Sequence, residues 1–191
     1  IDGVVFKVNT YLLQKKLGER SKSPRWAIAG KFKDEQGITK VLDIQISVGR
    51  TGALTPVAKL DPIKVGGVII SNATLHNQDE INKKDIRIND YVLIQRAGDV
   101  IPEILKVIKE KRPRHANQFF ISKVCPICKS EAYKKNNNAV LRCRNSNCKA
   151  IIKGKIEHYV SKNCMDIVGL GTKIIDLLIT NNLLSNISDI Y

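Results

Sequence analysis

The sequence predicts a multi-domain α+β protein made of a small β-barrel, a four-cysteine zinc ribbon and a helical tail. Three observations carry that expectation. Short runs of alternating apolar and polar residues, broken by Gly-rich turns, fill residues 34 to 121. Two cysteine knuckles follow, and beyond residue 150 the apolar spacing becomes helical. With 43% hydrophobic and 26% charged residues, the 191-residue chain can bury a core, which excludes wholesale disorder. No apolar run approaches the roughly 18 residues of a membrane span and no secretory signal pattern is present, so a soluble intracellular protein is expected.

The chain carries 32 Lys and Arg against 18 Asp and Glu, a net charge of +14, too cationic for an ordinary metabolic enzyme. Residues 1 to 105 hold 16 basic and 12 acidic groups, residues 106 to 162 hold 15 and 3, and residues 163 to 191 hold 1 and 3. The excess therefore lies in the middle stretch. A field of one sign there favours a polyanion, because each neutralised phosphate releases condensed counterions. A solvated, solubilising face is the plainer alternative. Lysines outnumber arginines 23 to 9, which suits backbone attraction better than bidentate base reading.

In chain order, Asp2-Gly3-Val4-Val5-Phe6-Lys7-Val8-Asn9 reads as a strand with Val4, Phe6 and Val8 on one face and Val5 and Lys7 on the other. A short helix follows, with Thr10 as N-cap, Leu12, Leu13 and Leu17 as its apolar stripe and Gly18 as its stop. After a basic loop, Trp26, Ile28, Gly30 and Phe32 alternate with Ala27, Ala29 and Lys31. Two strands that each offer one lysine beside small residues suggest a phosphate clamp, with simple solvent exposure as the alternative.

From residue 34 the pattern is β-rich, with Leu42, Ile44, Ile46 and Val48 alternating against Val41, Asp43, Gln45 and Ser47. Further apolar runs at 65–70, 91–94 and 100–108 suggest a closed barrel, and in a basic protein the oligonucleotide-binding (OB) fold is the natural candidate. Asn77 begins a helix capping the barrel, and Asn89-Asp90 supplies a turn in which Asn tolerates the left-handed conformation. His76 reads as a hydrogen-bonded structural histidine.

Cys125-Pro-Ile-Cys128 is followed, after fourteen residues, by Cys143-Arg-Asn-Ser-Asn-Cys148. Each short loop brings two thiolates to one ion, and two loops complete the tetrahedral shell of a structural zinc. Two disulfides would fit poorly with an intracellular chain and would leave Cys164 over. Cys164 reads as a small buried apolar side chain, His158 as a weak substitute ligand, and Asn136-Asn137-Asn138 as the hairpin tip between the knuckles. Beyond them, Lys153 to Asp166 reads as one helix, Val168-Gly169-Leu170-Gly171 as a tight turn, and Thr172 to Ile179 as a second helix capped by Thr172. This is a helix-hairpin-helix pattern, and the net −2 of residues 163 to 191 favours a packing role for it.

The stretches Asp2 to Asn9 and Ser23-Pro24-Arg25-Trp26-Ala27-Ile28-Ala29-Gly30-Lys31-Phe32 resemble the last two nucleotidyltransferase motifs of bacterial-type NAD-dependent DNA ligases. Val48-Gly49-Arg50-Thr51-Gly52, Ala73-Thr74-Leu75-His76-Asn77, Arg96-Ala97-Gly98-Asp99-Val100-Ile101-Pro102, the cysteine knuckles and Met165-Asp166-Ile167-Val168-Gly169-Leu170-Gly171 follow in that family's order. The resemblance covers essentially the whole chain. It implies a reaction in which a lysine takes AMP from NAD, the AMP passes to the 5′-phosphate of a nick, and the 3′-hydroxyl seals the strand with Mg²⁺ (or Mn²⁺) assisting. An ATP-dependent ligase is disfavoured, because the knuckles and hairpin tail match the NAD-using branch.

The resemblance also implies roles and boundaries. Lys7 and Lys31 match nucleotide-contacting lysines that stabilise charge on the α-phosphate, and Asp2 matches an acidic residue that places metal or ribose. Arg50, Thr51, Arg96, Val100 and Ile101 match residues contacting nicked duplex DNA. The divisions are 1–33 as the end of an adenylation domain, 34–121 as the OB-fold domain, 122–150 as the zinc finger and 151–191 as the start of a helix-hairpin-helix domain. The family's Lys-x-Asp-Gly nucleophile is not found in these residues, since Lys59-Leu60-Asp61-Pro62 ends in Pro within a β-rich segment. The chain is therefore expected to be a fragment that is inactive alone, in a monomeric cytoplasmic, nucleoid-associated enzyme. The competing class is a non-catalytic, zinc-containing nucleic-acid-binding module, which would have no use for residues 1 to 33.

Overall fold

The computed structural model describes residues 3–32, 35–96, 102–114, 116–134 and 138–191. The chain opens with β1 (Gly3–Lys7) and α1 (Tyr11–Leu17), followed by the two-residue strands β2 (Glu19–Arg20) and β3 (Ser23–Pro24) and then β4 (Ala27–Lys31). β1 and β4 form an antiparallel ribbon in which Lys7 faces Ala27, Val5 faces Ala29 and Gly3 faces Lys31. Thr10 occupies the N-cap of α1 with extended backbone but makes no side-chain cap bond. Gln14 Nε2 instead reaches back to the Val8 carbonyl at 2.5 Å. Gly18 ends the helix at φ 68°, a conformation that favours glycine. The expected apolar layer is present but uncovered among the described residues: Val4, Phe6, Leu12, Leu13, Leu17 and Ile28 are all exposed.

β5 (Glu35–Val48), β6 (Leu54–Val65), β7 (Val68–Thr74), β8 (Tyr91–Arg96) and β9 (Glu103–Val107) close a five-stranded barrel in the order β5-β6-β7-β9-β8. Its neighbours pair antiparallel except β7 and β9, which run parallel. Val41, Ala58, Leu60, Val92, Ile94 and Ile104 fill the interior, each large side chain contributing roughly 1.5–3 kcal/mol by leaving water. The alternation expected along β5 breaks at its centre. A register shift lies between Val41 and Asp43, so Val41 turns inward while Leu42 is 49% exposed, as a β-bulge requires.

α2 (Gln78–Lys84) plugs one end of the barrel through buried Ile81. The Asn77 side chain accepts the Glu80 N–H at 2.9 Å as its N-cap, and Asn89 takes the expected left-handed turn at φ 74°. Lys59-Leu60-Asp61-Pro62 lies on β6 with Leu60 in the core and Lys59 Nζ donating to Asn72 Oδ1 at 2.7 Å.

The ribbon strands β10 (Ala132–Lys134) and β11 (Leu141–Cys143) form a small hairpin against the barrel, where Leu54 packs on Ile121 and Ala132. Asn138 accepts the Val140 N–H at 3.1 Å, while Asn136 and Asn137 lie outside the described residues. α3 (Lys149–Val160) and α4 (Thr172–Thr180) pack through Ile156, Val160 and Ile175. α3 starts four residues before the expected Lys153, because Cys148 of the second knuckle is its N-cap, and it stops at Val160 rather than Asp166. Asp166 sits at φ 48°, which ends any helix there. The N-cap of α4 is Gly171, not Thr172, and no side chain caps it. No helix among the described residues is long and apolar enough to cross a membrane.

Candidate nucleic-acid interface and metal centre

The Sγ atoms of Cys125, Cys128, Cys143 and Cys148 lie within 4.8 Å of one another, and all four cysteines are unbridged. Cys125 and Cys148 are 3.9 Å apart and Cys128 and Cys143 3.4 Å. Four thiolates around zinc at about 2.3 Å stand about 3.8 Å apart along each tetrahedral edge, so the donor set fits that ion. The first knuckle is closed by Lys129 N–H to Cys125 O at 3.0 Å and Cys125 N–H to Ser130 O at 2.9 Å, with Lys129 at φ 60°. Burial pushes the Cys143 thiol up to about 12 and raises Cys148, whereas hydrogen bonds from Ser130 hold Cys128 at about 6. A bound cation removes the cost of burying those thiolates. The centre is closed, as a structural site should be: Cys125, Cys143, Cys148 and Ile151 form one buried cluster.

Cys164 departs from expectation. It is exposed rather than buried, with its sulfur 3.7 Å from His158 Nδ1 at the end of α3. Neither residue belongs to the four-sulfur cluster. His76 likewise is exposed, at φ 59°, and among the described residues its backbone N–H, not its ring, makes a hydrogen bond, to Thr74 Oγ1 at 3.2 Å.

On the barrel, Gly49-Arg50-Thr51-Gly52 forms the β5–β6 turn through Gly49 N–H to Ala53 O at 2.9 Å and Gly52 N–H to Gly49 O at 2.8 Å. Arg50 is exposed at its apex. Thr51 accepts Arg142 Nη1 twice, at its carbonyl (3.1 Å) and its hydroxyl (2.7 Å). A groove of about 720 Å³ runs beside the turn, walled by Arg50, Lys149, Lys153, Gly154, Glu157 and Asp176 among others. Lys153 is held across it by Asp176 at 2.6 Å. Arg96 ends β8, and nothing further is described of its side chain; Asp2, Val100 and Ile101 lie outside the described residues.

At the N-terminal ribbon the register puts Lys7 and Lys31 on the same face, at opposite ends of Ala27 and Ala29. Both are exposed. Four residues of strand separate them, about 13 Å of backbone, within which two long side chains can converge on one phosphate-bearing ligand. The sequence offers Arg142 as one of several cations of the four-cysteine module that could face DNA, without its contact to Thr51, and does not single out Gly154. A glycine in mid-helix, which costs about 1 kcal/mol relative to Ala, was the available signal for it.

Residues 1–35 match the family model described as the NAD-dependent DNA ligase adenylation domain, and residues 38–116 match the NAD-dependent DNA ligase OB-fold domain. Among curated relatives, the chain is 51% identical over 191 residues to a DNA ligase of Syntrophobacter fumaroxidans, covering all of this chain and 28% of that protein. It is 53% identical over 192 residues to a DNA ligase of Bdellovibrio bacteriovorus, again all of this chain and 28% of the relative. A DNA ligase of Natranaerobius thermophilus is 50% identical over 191 residues, with 29% of its length covered. The chain thus spans under a third of the length of these relatives. With two adjacent domain models of one family and half of its residues shared with those ligases, the chain belongs to the NAD-dependent DNA ligase family.

Proposed function

We propose that this chain works within an enzyme that seals nicks in duplex DNA using NAD. The observation that supports this best is the placement of Lys7 and Lys31 on one face of the β1–β4 ribbon, inside the stretch matching the adenylation model. In this reading, their ammonium groups stabilise negative charge on the α-phosphate of the nucleotide during adenylyl transfer. Asp2 helps place Mg²⁺ (or Mn²⁺) or the ribose, and NAD supplies the adenylyl group when bound. Arg50, Thr51 and Arg96 hold the sugar-phosphate backbone while Val100 and Ile101 press on sugars, so the duplex is gripped without sequence reading. Zinc staples residues 122–150 between an OB-fold domain at 34–121 and the helix-hairpin-helix segment at 151–191. We read the enzyme as a monomer in the cytoplasm, working at the nucleoid.

The test supplies a separately produced upstream segment carrying the lysine nucleophile, together with this chain, NAD labelled in its adenylate and a nicked duplex. Label should appear on the 5′-phosphate of the nick, and Lys31→Ala should abolish it. Binding of nicked duplex without any adenylate transfer, or full transfer by the Lys31→Ala chain, would favour a binding-only module instead.

A further inference from the structure

We propose that the four-cysteine module is a positioning device for the Gly49–Gly52 turn: through Arg142 on β11 and Gly154 on α3 it fixes the backbone that presents Arg50. This inference rests on the reading of Arg50 as a DNA contact.

The turn is held from two sides. On one side β11 runs along it, with Arg142 bridging to Ala53 as an isolated antiparallel pair and the Cys143 N–H donating to Gly52 O at 2.8 Å. The Arg142 guanidinium then closes on Thr51, donating from one nitrogen to both the carbonyl and the hydroxyl. On the other side α3 lies directly against the turn. A Cβ on Gly154 would stand 2.9 Å from Arg50 Cβ and 3.0 Å from its Cα, so only glycine lets the helix rest on the Arg50 backbone. Gly52 is buried between the two, at φ +79°, where a Cβ would meet Cys143 O and Ile151 Cδ1 at 3.2 Å each.

Both clamping elements are anchored at the metal centre. Cys143 is the last residue of β11, and Cys148 is the N-cap of α3. One ion that joins Cys143 to Cys148 therefore sets the spacing between the strand and the helix that grip the turn. A disordered turn would pay the ordering cost on binding DNA, and a clamped one does not. Arg142 and Gly154 are accordingly positioning residues, acting through Arg50.

The experiment uses the zinc-loaded 191-residue chain and its R50A, R142A, R142K, G154A and R50A/R142A variants, each first checked for about one zinc per chain. Two readouts are taken: amide exchange at Gly49 and Gly52, and the salt dependence of nicked-duplex binding. R142A should speed exchange at both amides about tenfold, the loss of one charged hydrogen-bond donor, and R142K should restore most of the protection. G154A should also speed exchange although Ala strengthens a helix, which separates positioning from simple helix stability. R50A should lower the log–log salt slope by about 0.9, one phosphate contact. R142A should lower it similarly, and the double variant no further. Unchanged exchange in both R142A and G154A overturns the inference while leaving the Arg50 reading intact. A double variant whose slope falls by the sum of the single losses assigns Arg142 its own phosphate and overturns it too. R50A with an unchanged slope overturns the Arg50 reading, and the inference falls with it.

Discussion

Replacing Arg112 with Ala is expected to destabilise the barrel by about 3–5 kcal/mol, the range for breaking a buried ion pair from one side. The Arg112 side chain is 16% exposed and Asp90 is fully buried. Nε and Nη2 donate to the two Asp90 oxygens at 2.8 and 2.9 Å, and Nη1 donates to Asp85 Oδ2 at 2.6 Å. Without the guanidinium, the Arg87 N–H at 2.9 Å is the donor left to Asp90 among the described residues, so a carboxylate remains in the interior without a counter-charge. For a domain of 60–100 residues each kcal/mol moves the thermal midpoint by about 4–8 °C, so a fall of at least about 12 °C should follow. Urea unfolding followed by far-UV circular dichroism measures the change, and Asp90→Asn in the same background should recover part of it. A loss below about 1 kcal/mol would put this pair with ordinary exposed ion pairs and refute the argument that Arg112 neutralises a buried charge.

Three further outcomes follow from named contacts. Arg112 hydrogen-bonded to Asp85 holds that carboxyl below its ordinary value of 3.8; a lowered folded-state value contributes stability above the unfolded value and loses it as pH falls through the folded one. Asp85→Asn should therefore flatten the loss of thermal midpoint below pH 3.8. Cys143→Ser should reduce bound zinc from about one equivalent to near zero by elemental analysis, and in the unaltered chain zinc affinity should fall with pH because protons compete for the thiolates. Leu54, 1% exposed where the barrel meets Ile121 and Ala132, should cost about 2–5 kcal/mol on change to Ala, read from urea unfolding.

What the sequence disclosed about this molecule follows the range of the interactions involved. The four-cysteine cluster was legible because a knuckle is closed by its own backbone, Lys129 N–H to Cys125 O at 3.0 Å, and needs nothing distant. The shared face of Lys7 and Lys31 was half legible: period 2 fixes a face within each strand, but only the pairing of Lys7 with Ala27 shows that the two faces coincide. Leu42 was misassigned because the bulge that turns it outward is set by pairing with β6, where the partner of Val41 is Leu60, 19 positions along the chain. Cys164 was expected inside on the strength of residue type alone, and the turn that follows Val160 carries it to the surface. Arg142 looked like one more cation beside a cysteine, since its partner Thr51 is 91 residues upstream.

That distance bears on the charge excess itself. Residues 106 to 162 hold 15 basic groups against 3 acidic ones, yet several of those cations are spent within the fold. Arg112 is bound to Asp85 and Asp90, Lys153 to Asp176, Lys134 to Asp79 and Arg142 to Thr51. Arg142 and Lys134 thereby join the ribbon to the β5–β6 turn and to α2, whereas Arg112 is tied within residues 34–121 and Lys153 ties α3 to α4, so part of what reads as a polyanion surface is occupied inside the fold. Exposed Lys123, Lys149, Lys155 and Lys162 are among those left as candidates for phosphate. The salt slope for duplex binding should accordingly reflect a handful of contacts rather than the formal charge of the segment, at about 0.9 per contact. Lys149→Ala should lower the slope by about that amount, and Arg112→Ala, measured where the variant is still folded, should leave it unchanged. Equal slopes lost from both would mean that the basic stretch acts as a diffuse field, with no division between fastening and DNA-facing cations.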